Sequence, residues 1–150
     1  MQNRTKAIPD GYHTVTPYLL CQRVADVLSF VERAFDAEVL QRMPSPDGKV
    51  VHAEVRIGDS RVMLGEASRE WRPLPGSVYV YVDDVDEVYR RAIAAGGRSI
   101  MEPADMFYGD RNSGVADPGG NVWWISTHVE DVADDELTAR AAERFGRADP

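Results

Sequence analysis

Two ionisable side chains, His52 and Glu54, have the types and the spacing of an acid–base pair. They lie two residues apart in a run with β-strand character, so both project from the same face of the predicted strand. A carboxylate beside an imidazole could act as a general base or supply two metal ligands. The alternative, which we favour, is a polar pair at the rim of a sheet. Arg56, on the same face, could clamp an anion or form a rim salt bridge.

Aromatic side chains with the same alternation could bind a planar molecule. Tyr79 and Tyr81 share one face of a predicted strand, and Trp124 lies on the corresponding face of another. Such rings stack on flat ligands, although they could instead only fill the space between sheets. Phe107 and Tyr108, in a later loop, could form a lid over a pocket or simply pack as a loop.

Other reactive residue types have structural explanations. Cys21 is on the helix-facing side of its strand and is predicted to be a buried structural thiol. Asp83 and Asp84 precede a helix and are typical of N-terminal capping charges. His13 and His128 fall at strand ends, where we expect surface residues.

The elements that must position these residues occur twice, 61 residues apart. Val24, Val27, Leu28 and Val31 have the helical spacing i, i+3, i+4, i+7, and the same spacing returns over 85–92. The pattern of apolar faces and turns repeats without a gap, so a residue found in one half predicts its counterpart in the other.

Each half is predicted to have the order β-α-β-β-β. The first half gives a helix over 24–35 and strands over 14–21, 38–43, 50–57 and 61–65. The second gives a helix over 85–95 and strands over 77–82, 98–102, 114–117 and 121–127. A linker with three breakers spans 66–76. The acidic tail over 130–150 holds a predicted helix over 134–145, which we expect to be solvated, a dimer contact being the alternative.

Strand alternation gives each sheet two different faces. Ala53, Val55 and Ile57 would pack beneath a helix, whereas the opposite face mixes aromatic, hydroxyl and charged groups. That mixture would expose too much apolar area for an ordinary water-facing surface. We therefore predict an α+β fold in which two tandem βαβββ modules form curved mixed sheets around a central cavity, with the helices on the outer face. The modules span about 13–66 and 77–128 of a single domain, 1–150.

Composition and charge exclude several classes of binding partner. The formal net charge of −8 disfavours nucleic acid and anionic membranes, which reward basic patches. No apolar run has the length of a membrane span, and the N-terminus has no apolar signal core. The single cysteine excludes an intrachain disulfide, and together these features predict a cytoplasmic protein.

Several motifs, taken in order, are similar to those of a known group of proteins. They are Tyr81-Val82-Asp83-Asp84-Val85-Asp86, Ala94-Ala95-Gly96 and Asp117-Pro118-Gly119-Gly120-Asn121. With the internal repeat, they resemble the vicinal oxygen chelate superfamily, also called the glyoxalase / bleomycin-resistance / dioxygenase group. Three further motifs resemble its PhnB-like branch, namely Pro17-Tyr18-Leu19, residues 48–54 and residues 106–111. The resemblance covers roughly residues 13–130 and implies that Arg111, in the last motif, could contact an anion or order its loop.

The resemblance also implies where a metal would bind. Metal-dependent members carry His, Glu or Gln on the first and last strands of each module, and aligning the motifs places those sites at Thr16, Met63, Ser77 and Trp124. The internal repeat gives the same positions, because Thr16 and Ser77, like Met63 and Trp124, are 61 residues apart. None of the four is a usual ligand for a hard or borderline divalent cation. We therefore predict no metal and no other cofactor.

Three functions remain open. We favour a metal-free binder of a planar or aromatic small molecule, such as a drug-sequestering protein, forming a homodimer as relatives commonly do. The second is a lyase, isomerase or dioxygenase-like enzyme using His52 and Glu54 as base or metal ligands. The third is an interaction module without a ligand. The predicted ligand-binding residues are Thr16, Tyr18, His52, Glu54, Arg56, Met63, Ser77, Tyr79, Tyr81, Phe107, Tyr108, Arg111 and Trp124.

Overall fold

The computed structural model describes residues 4–146; Met1–Asn3 and residues 147–150 of the predicted tail lie outside the described residues. The first module contains β1 (Tyr18–Cys21), α1 (Val24–Phe35), β2 (Glu38–Pro44), β3 (Val50–Ile57) and β4 (Ser60–Glu66). The second contains β5 (Ser77–Tyr81), α2 (Val85–Ala94), β6 (Arg98–Asp105), β7 (Asp110–Ala116) and β8 (Val122–His128). The tail helix α3 (Asp134–Phe145) follows. The predicted α+β class and the two βαβββ modules are confirmed.

Each module forms one four-stranded mixed sheet. The order is β1-β4-β3-β2 in the first, called sheet A, and β5-β8-β7-β6 in the second, called sheet B. The central parallel pairing repeats in register, because Tyr18 lies opposite Met63 and Tyr79 opposite Trp124. The two modules are therefore equivalent at the strands where the aromatic residues lie.

The predicted repeat without a gap is wrong at one strand. Met63 pairs with Glu54, but its counterpart Trp124 pairs with Gly114, so β7 is displaced by one residue from the offset of 61. The reason is the second hairpin, which holds one extra residue. Ile57 and Ser60 close a two-residue turn in module one, whereas residues 117–121 form a longer turn ordered around the Asp117 carboxylate in module two.

Both main helices are capped from the last strand of their own module. The backbone N–H of Val24 donates to the Glu66 carboxylate at 2.8 Å, and the N–H of Val85 donates to the Thr127 hydroxyl at 3.0 Å. These positions are 61 residues apart in both partners. Each contact satisfies a backbone donor that a helix start leaves unpaired. Asp84 also caps α2 through the N–H of Glu87, as predicted.

A single hydrophobic core joins the modules. The helices pack on the apolar faces of their sheets and against each other. The Phe35 ring of α1 lies 5.1 Å from the Trp123 ring of β8, measured between centroids. Cys21 is fully buried in this core, as predicted, and burial raises the pKa of its thiol to about 11. Each helix thus covers the apolar face of its own sheet, as predicted, and the two helices also pack against each other.

The polar faces of the two sheets, which are predicted to line a central cavity, lie partly open in the described residues of one chain. The helices occupy the region between the apolar faces, and the polar faces of both sheets lie on the sides away from them. Tyr18 is 54% exposed, Tyr79 41% and Tyr81 63%. Each polar face is therefore an open surface that a second molecule could cover.

Among the strand boundaries that differ from prediction, those of β1 and β7 affect candidate residues. β1 begins at Tyr18, so Thr16 precedes the strand, and its hydroxyl donates to the His13 carbonyl. Pro17 has no N–H to continue a ladder. β7 begins at Asp110, in a segment predicted to be a loop. Within residues 4–146, no helix is long and apolar enough to cross a membrane.

Candidate functional site

The polar face of sheet B is organised around the buried carboxylate of Asp110, which is 4% exposed. The Tyr79 hydroxyl donates to Asp110 Oδ2 at 2.7 Å, and the Tyr81 hydroxyl donates to the same oxygen at 2.9 Å. His128 Nδ1 lies 2.8 Å from Asp110 Oδ1. Burial opposes ionisation of Asp110, yet the hydrogen bonds from His128, Tyr79 and Tyr81 hold its pKa below the usual value. The site therefore contains a fixed negative charge.

The donors around Asp110 form a directional network. Asn112 Nδ2 donates to the Tyr108 hydroxyl, which lies 3.4 Å from the Tyr79 hydroxyl. Because Tyr79 gives its own proton to Asp110, it can only accept from Tyr108. Burial, with Tyr108 and Asp110, raises the pKa of Tyr79 despite a contact with the Ser126 hydroxyl. Tyr79 is thereby held as a neutral phenol.

Trp124 lies flat on the same face. Its indole Nε1–H donates to the Ser77 hydroxyl at 2.9 Å. Its six-membered ring covers Gly114 so closely that a Cβ added there would lie 2.6 Å from a ring carbon. The indole thus spans from β5 across β8 to β7, and it presents a planar apolar surface beside Tyr79, its partner in the strand register.

The polar face of sheet A is organised less tightly. His52 Nε2 lies 3.8 Å from Glu54 Oε1, which is too long for a hydrogen bond. The Tyr18 ring reaches over Gly65 and lies 6.2 Å from the His52 ring. Both members of the predicted acid–base pair do share the predicted face, together with Met63 opposite Glu54.

Residues ahead of β1 cover part of the polar face of sheet A. The guanidinium of Arg61 lies 4.8 Å from the centroid of the Tyr12 ring, a cation–π contact. Burial and the neighbouring Glu54 carboxylate raise the pKa of Tyr12. No sequence pattern indicates Tyr12, because it lies outside every predicted strand.

The two predicted anion-binding arginines are occupied by carboxylates of the chain. Arg56 pairs with Glu38 on the neighbouring strand, which is the predicted rim salt bridge. Arg111 lies on the helix side of sheet B, where it binds Asp86 at 2.9 Å and Asp105 at 3.2 Å. Arg111 fastens α2 to β7 and points away from Tyr79 and Trp124.

The tail helix docks on the loop that carries Tyr108. Arg140 Nη1 donates to the Phe107 carbonyl at 3.2 Å, and its guanidinium also forms two contacts with Glu130. The Phe145 ring packs edge-on against Phe107, with centroids 5.7 Å apart. α3 has no buried residue and Phe145 is 71% exposed, so the helix stays largely solvated while these contacts hold it against the loop beside the Tyr79 network.

The residues at the four positions of the metal-binding relatives do not fit a metal. In module two, Ser77 and Trp124 bond to each other, and an indole has no lone pair to offer a cation. In module one, Met63 offers only a thioether, and Thr16 lies outside the strand. Across residues 4–146 there is no cluster of three or more His, Cys, Asp or Glu side chains arranged to hold a metal ion.

Sequence reasoning missed four residues of the sheet B network, namely Asp110, Asn112, Ser126 and His128. The sequence predicts a loop over residues 107–111, which includes Asp110, and no element at Asn112. His128 is predicted to be a surface residue; its ring is half exposed, but it forms a hydrogen bond with the buried Asp110. Alternation along β8 could have indicated Ser126, since it lies two residues beyond Trp124 and therefore projects from the same face of the sheet.

Comparison with known proteins places this fold and these motifs in one family. The profile of the Glyoxalase/Bleomycin resistance protein/Dioxygenase superfamily matches residues 12–125. The uncharacterized protein Mb0911c of Mycobacterium bovis is 35% identical over 136 residues, covering 83% of this chain and 90% of the relative. Rv0887c of Mycobacterium tuberculosis H37Rv, also uncharacterized, is 35% identical and is covered over 80% of its length.

Solved structures agree with the family. TioX from Micromonospora sp. ML1 superposes with a TM-score of 0.66 at 26% identity, covering 78% of this chain and 99% of TioX. A glyoxalase/bleomycin resistance protein/dioxygenase from Nocardioides superposes with a TM-score of 0.60 at 19% identity, covering 87% of this chain and 90% of that protein. The second likeness supports the fold alone. The chain belongs to the glyoxalase/bleomycin resistance protein/dioxygenase superfamily.

Proposed function

We propose that this protein is a metal-free small-molecule binding protein whose ligand is planar or aromatic. The observation that supports this is the arrangement on sheet B. The polar ends of Tyr79, Tyr81 and Trp124 are fixed by Asp110 and Ser77, so the rings are ordered before any ligand arrives. Rings that are already ordered lose little entropy on binding, which favours stacking.

Sequestration is the role that these features support best. Holding a harmful or useful compound needs a pocket with aromatic walls and no catalytic metal, and the four metal positions hold two hydroxyls, a thioether and an indole. Members of this superfamily include drug-resistance proteins. We infer that this chain acts in the same way, in the cytoplasm and within the PhnB-like branch.

A complete pocket requires a second surface over the open face of sheet B. We propose that a homodimer supplies it, with the polar face of sheet A in one copy lying opposite that of sheet B in the other. Exposed tyrosines on both faces support this, because a lone chain leaves Tyr18, Tyr79 and Tyr81 facing water. The ligand would then contact Thr16, Tyr18, His52, Glu54, Arg56 and Met63 from one copy, and Ser77, Tyr79, Tyr81, Phe107, Tyr108 and Trp124 from the other.

Tryptophan fluorescence tests the proposal with a panel of planar aromatic natural products. Trp71→Phe provides the working background, because Trp71 is exposed on the linker and its emission would report nonspecific contact. At least one compound should quench emission saturably. Replacing Trp124 by Ala should then weaken binding about twofold to tenfold, measured by calorimetry.

Two outcomes would contradict the proposal. One is a panel in which no compound binds. The other is a compound that binds the Trp124→Ala and Tyr79→Ala variants as tightly as the parent protein. Sedimentation velocity on the same samples tests the dimer separately, and a monomer at all concentrations would refute that part.

A further inference from the structure

A second arrangement, at the end of sheet B, has the geometry of an acid–base site. The parallel strands β5 and β8 both end there, at Tyr81 and His128. An open cavity of about 400 Å³ lies beside these ends, and it is lined by Tyr81, Val82, Asp83, Thr127 and His128. This cavity is adjacent to the aromatic face but includes neither Trp124 nor Ser77.

Asp110 fixes the orientation of the His128 ring. The buried carboxylate lies 2.8 Å from Nδ1, while the His128 side chain is 50% exposed. When the ring is neutral, donating Nδ1–H to Asp110 leaves the lone pair on Nε2. A buried carboxylate that orients a half-exposed imidazole beside a cavity is the arrangement expected of a general base.

Asp131 restrains the same ring from the opposite side. Its carboxylate lies 2.7 Å from His128 Nε2, and its side chain is fully exposed. Only an imidazolium can donate to Asp110 and Asp131 together, and the two contacts, Asp110 first, raise the pKa of His128. Among the described residues, the ionisable groups that line this cavity with His128 are Tyr81, which also bonds to Asp110, and Asp83.

We propose that His128, oriented by Asp110, is a general base that removes a proton from a small carbon acid bound in this cavity. The C–H proton passes to Nε2, and the electron pair remains on the substrate, delocalised onto an adjacent electron-withdrawing group. The proton then returns from Nε2 to the substrate or to water. Asp131 limits the activity near neutral pH by keeping the ring protonated. The activity does not depend on the planar-ligand function.

Ring opening of nitrobenzisoxazole tests the base directly. The base removes the ring C–H proton, the electron pair forms the nitrile as the N–O bond breaks, and a coloured cyanophenolate is released. His128→Ala should lower the rate at least about tenfold. His13→Ala is the matched control, because His13 is exposed and lies outside the candidate site. Its rate should equal that of the parent protein.

The two carboxylates give the sharper test, because they should have opposite effects. Asp131→Asn releases Nε2 at a surface position, so it should raise the rate severalfold at neutral pH and move the midpoint of the pH–rate profile downward. Asp110→Asn should lower the rate, since the ring loses its orientation. If Asp110→Asn fails to fold, His128→Ala and Asp131→Asn decide the matter.

A parent protein no faster than free imidazole at the same pH would overturn the proposal. So would a His128→Ala rate equal to the control, or an Asp131→Asn profile with an unmoved midpoint. Planar-ligand binding that survives in His128→Ala would leave the proposed binding function intact, so the two failures can be told apart.

Discussion

The polar faces of sheets A and B have the same strand order and the same central register, yet their polar atoms are organised differently. On sheet B, the hydroxyls of Tyr79 and Tyr81 and the ring of His128 converge on one buried carboxylate. On sheet A, Glu54 lies 3.8 Å from His52, and among residues 4–146 it has no set of donors comparable to that of Asp110. Duplication has therefore preserved the scaffold while concentrating ordered chemistry in module two. The experiments below set residues of module two against residues of module one.

Removing the acidic side chain of each polar face should produce the largest difference in the free energy of unfolding between the two modules. Asp110→Ala leaves two phenols and an imidazole without their acceptor, so we expect a loss of about 3 kcal/mol in the free energy of unfolding. Glu54→Ala should cost less than about 1 kcal/mol, because Glu54 lies 3.8 Å from His52 Nε2, beyond hydrogen-bond distance. Urea denaturation measures both, and equal losses would remove the distinction between the faces.

The contacts that cap α1 and α2 should differ less in their contribution to the free energy of unfolding. Glu66 accepts from the backbone N–H groups of Arg23 and Val24 and pairs with Lys49, whereas Thr127 accepts only from Val85 among the backbone donors of α2. Glu66→Ala should cost about 2 kcal/mol and Thr127→Ala about 1 kcal/mol. Thermal unfolding of both variants checks the order, and a larger loss for Thr127→Ala would contradict it.

Adding a methyl group to one strand glycine in each sheet tests how firmly the aromatic ring above that glycine is held. In Gly114→Ala, the new Cβ would meet the Trp124 ring, which is held between Ser77 and the strand, so we expect a loss of about 1 to 3 kcal/mol. In Gly65→Ala, the Cβ would meet the outer end of the exposed Tyr18 ring, which can turn away at less than about 1 kcal/mol. The change in the Trp124 indole N–H resonance provides a second readout, and an unmoved resonance in Gly114→Ala would refute the contact.

The smallest effect is a pH dependence confined to module two. The contacts with Asp110 and then Asp131 raise the pKa of His128 in the folded protein. Its stabilising contribution is therefore complete below the unfolded imidazole value of about 6.5 and is lost as pH rises through the folded value. Subtracting the stability of His128→Gln from that of the parent should give a difference that declines over this window. A difference that rises instead would contradict the assignment.

The parts of the fold that sequence predicts well are those with strong local periodicity. The bounds of α1, β3 and α3 agree with prediction, and alternation in β3 placed Val55 inward and Glu54 outward. Asp110 was missed because Asp-Arg-Asn-Ser has little β propensity, and β7 forms there only by pairing with β6 and β8.

The site was harder to predict because its contacts join distant segments. Asp110 and His128 are 18 residues apart, and neither residue alone indicates that a hydrogen bond will form. Alternation gave the polar face of each sheet correctly but says nothing about what covers it. The way two modules pack is not contained in the period of either, so the surface that completes a pocket over each face could not be predicted from alternation.

The most direct test of the central claim, that sheet B carries the ligand site, uses the three tryptophans as probes. Their indole N–H groups report on separate places: Trp124 on the polar face, Trp123 in the core against Asp117, and Trp71 on the linker. During an NMR titration with a compound from the planar panel, the Trp124 resonance should shift and saturate while those of Trp123 and Trp71 stay in place. Saturable binding that leaves the Trp124 resonance unmoved would contradict the claim.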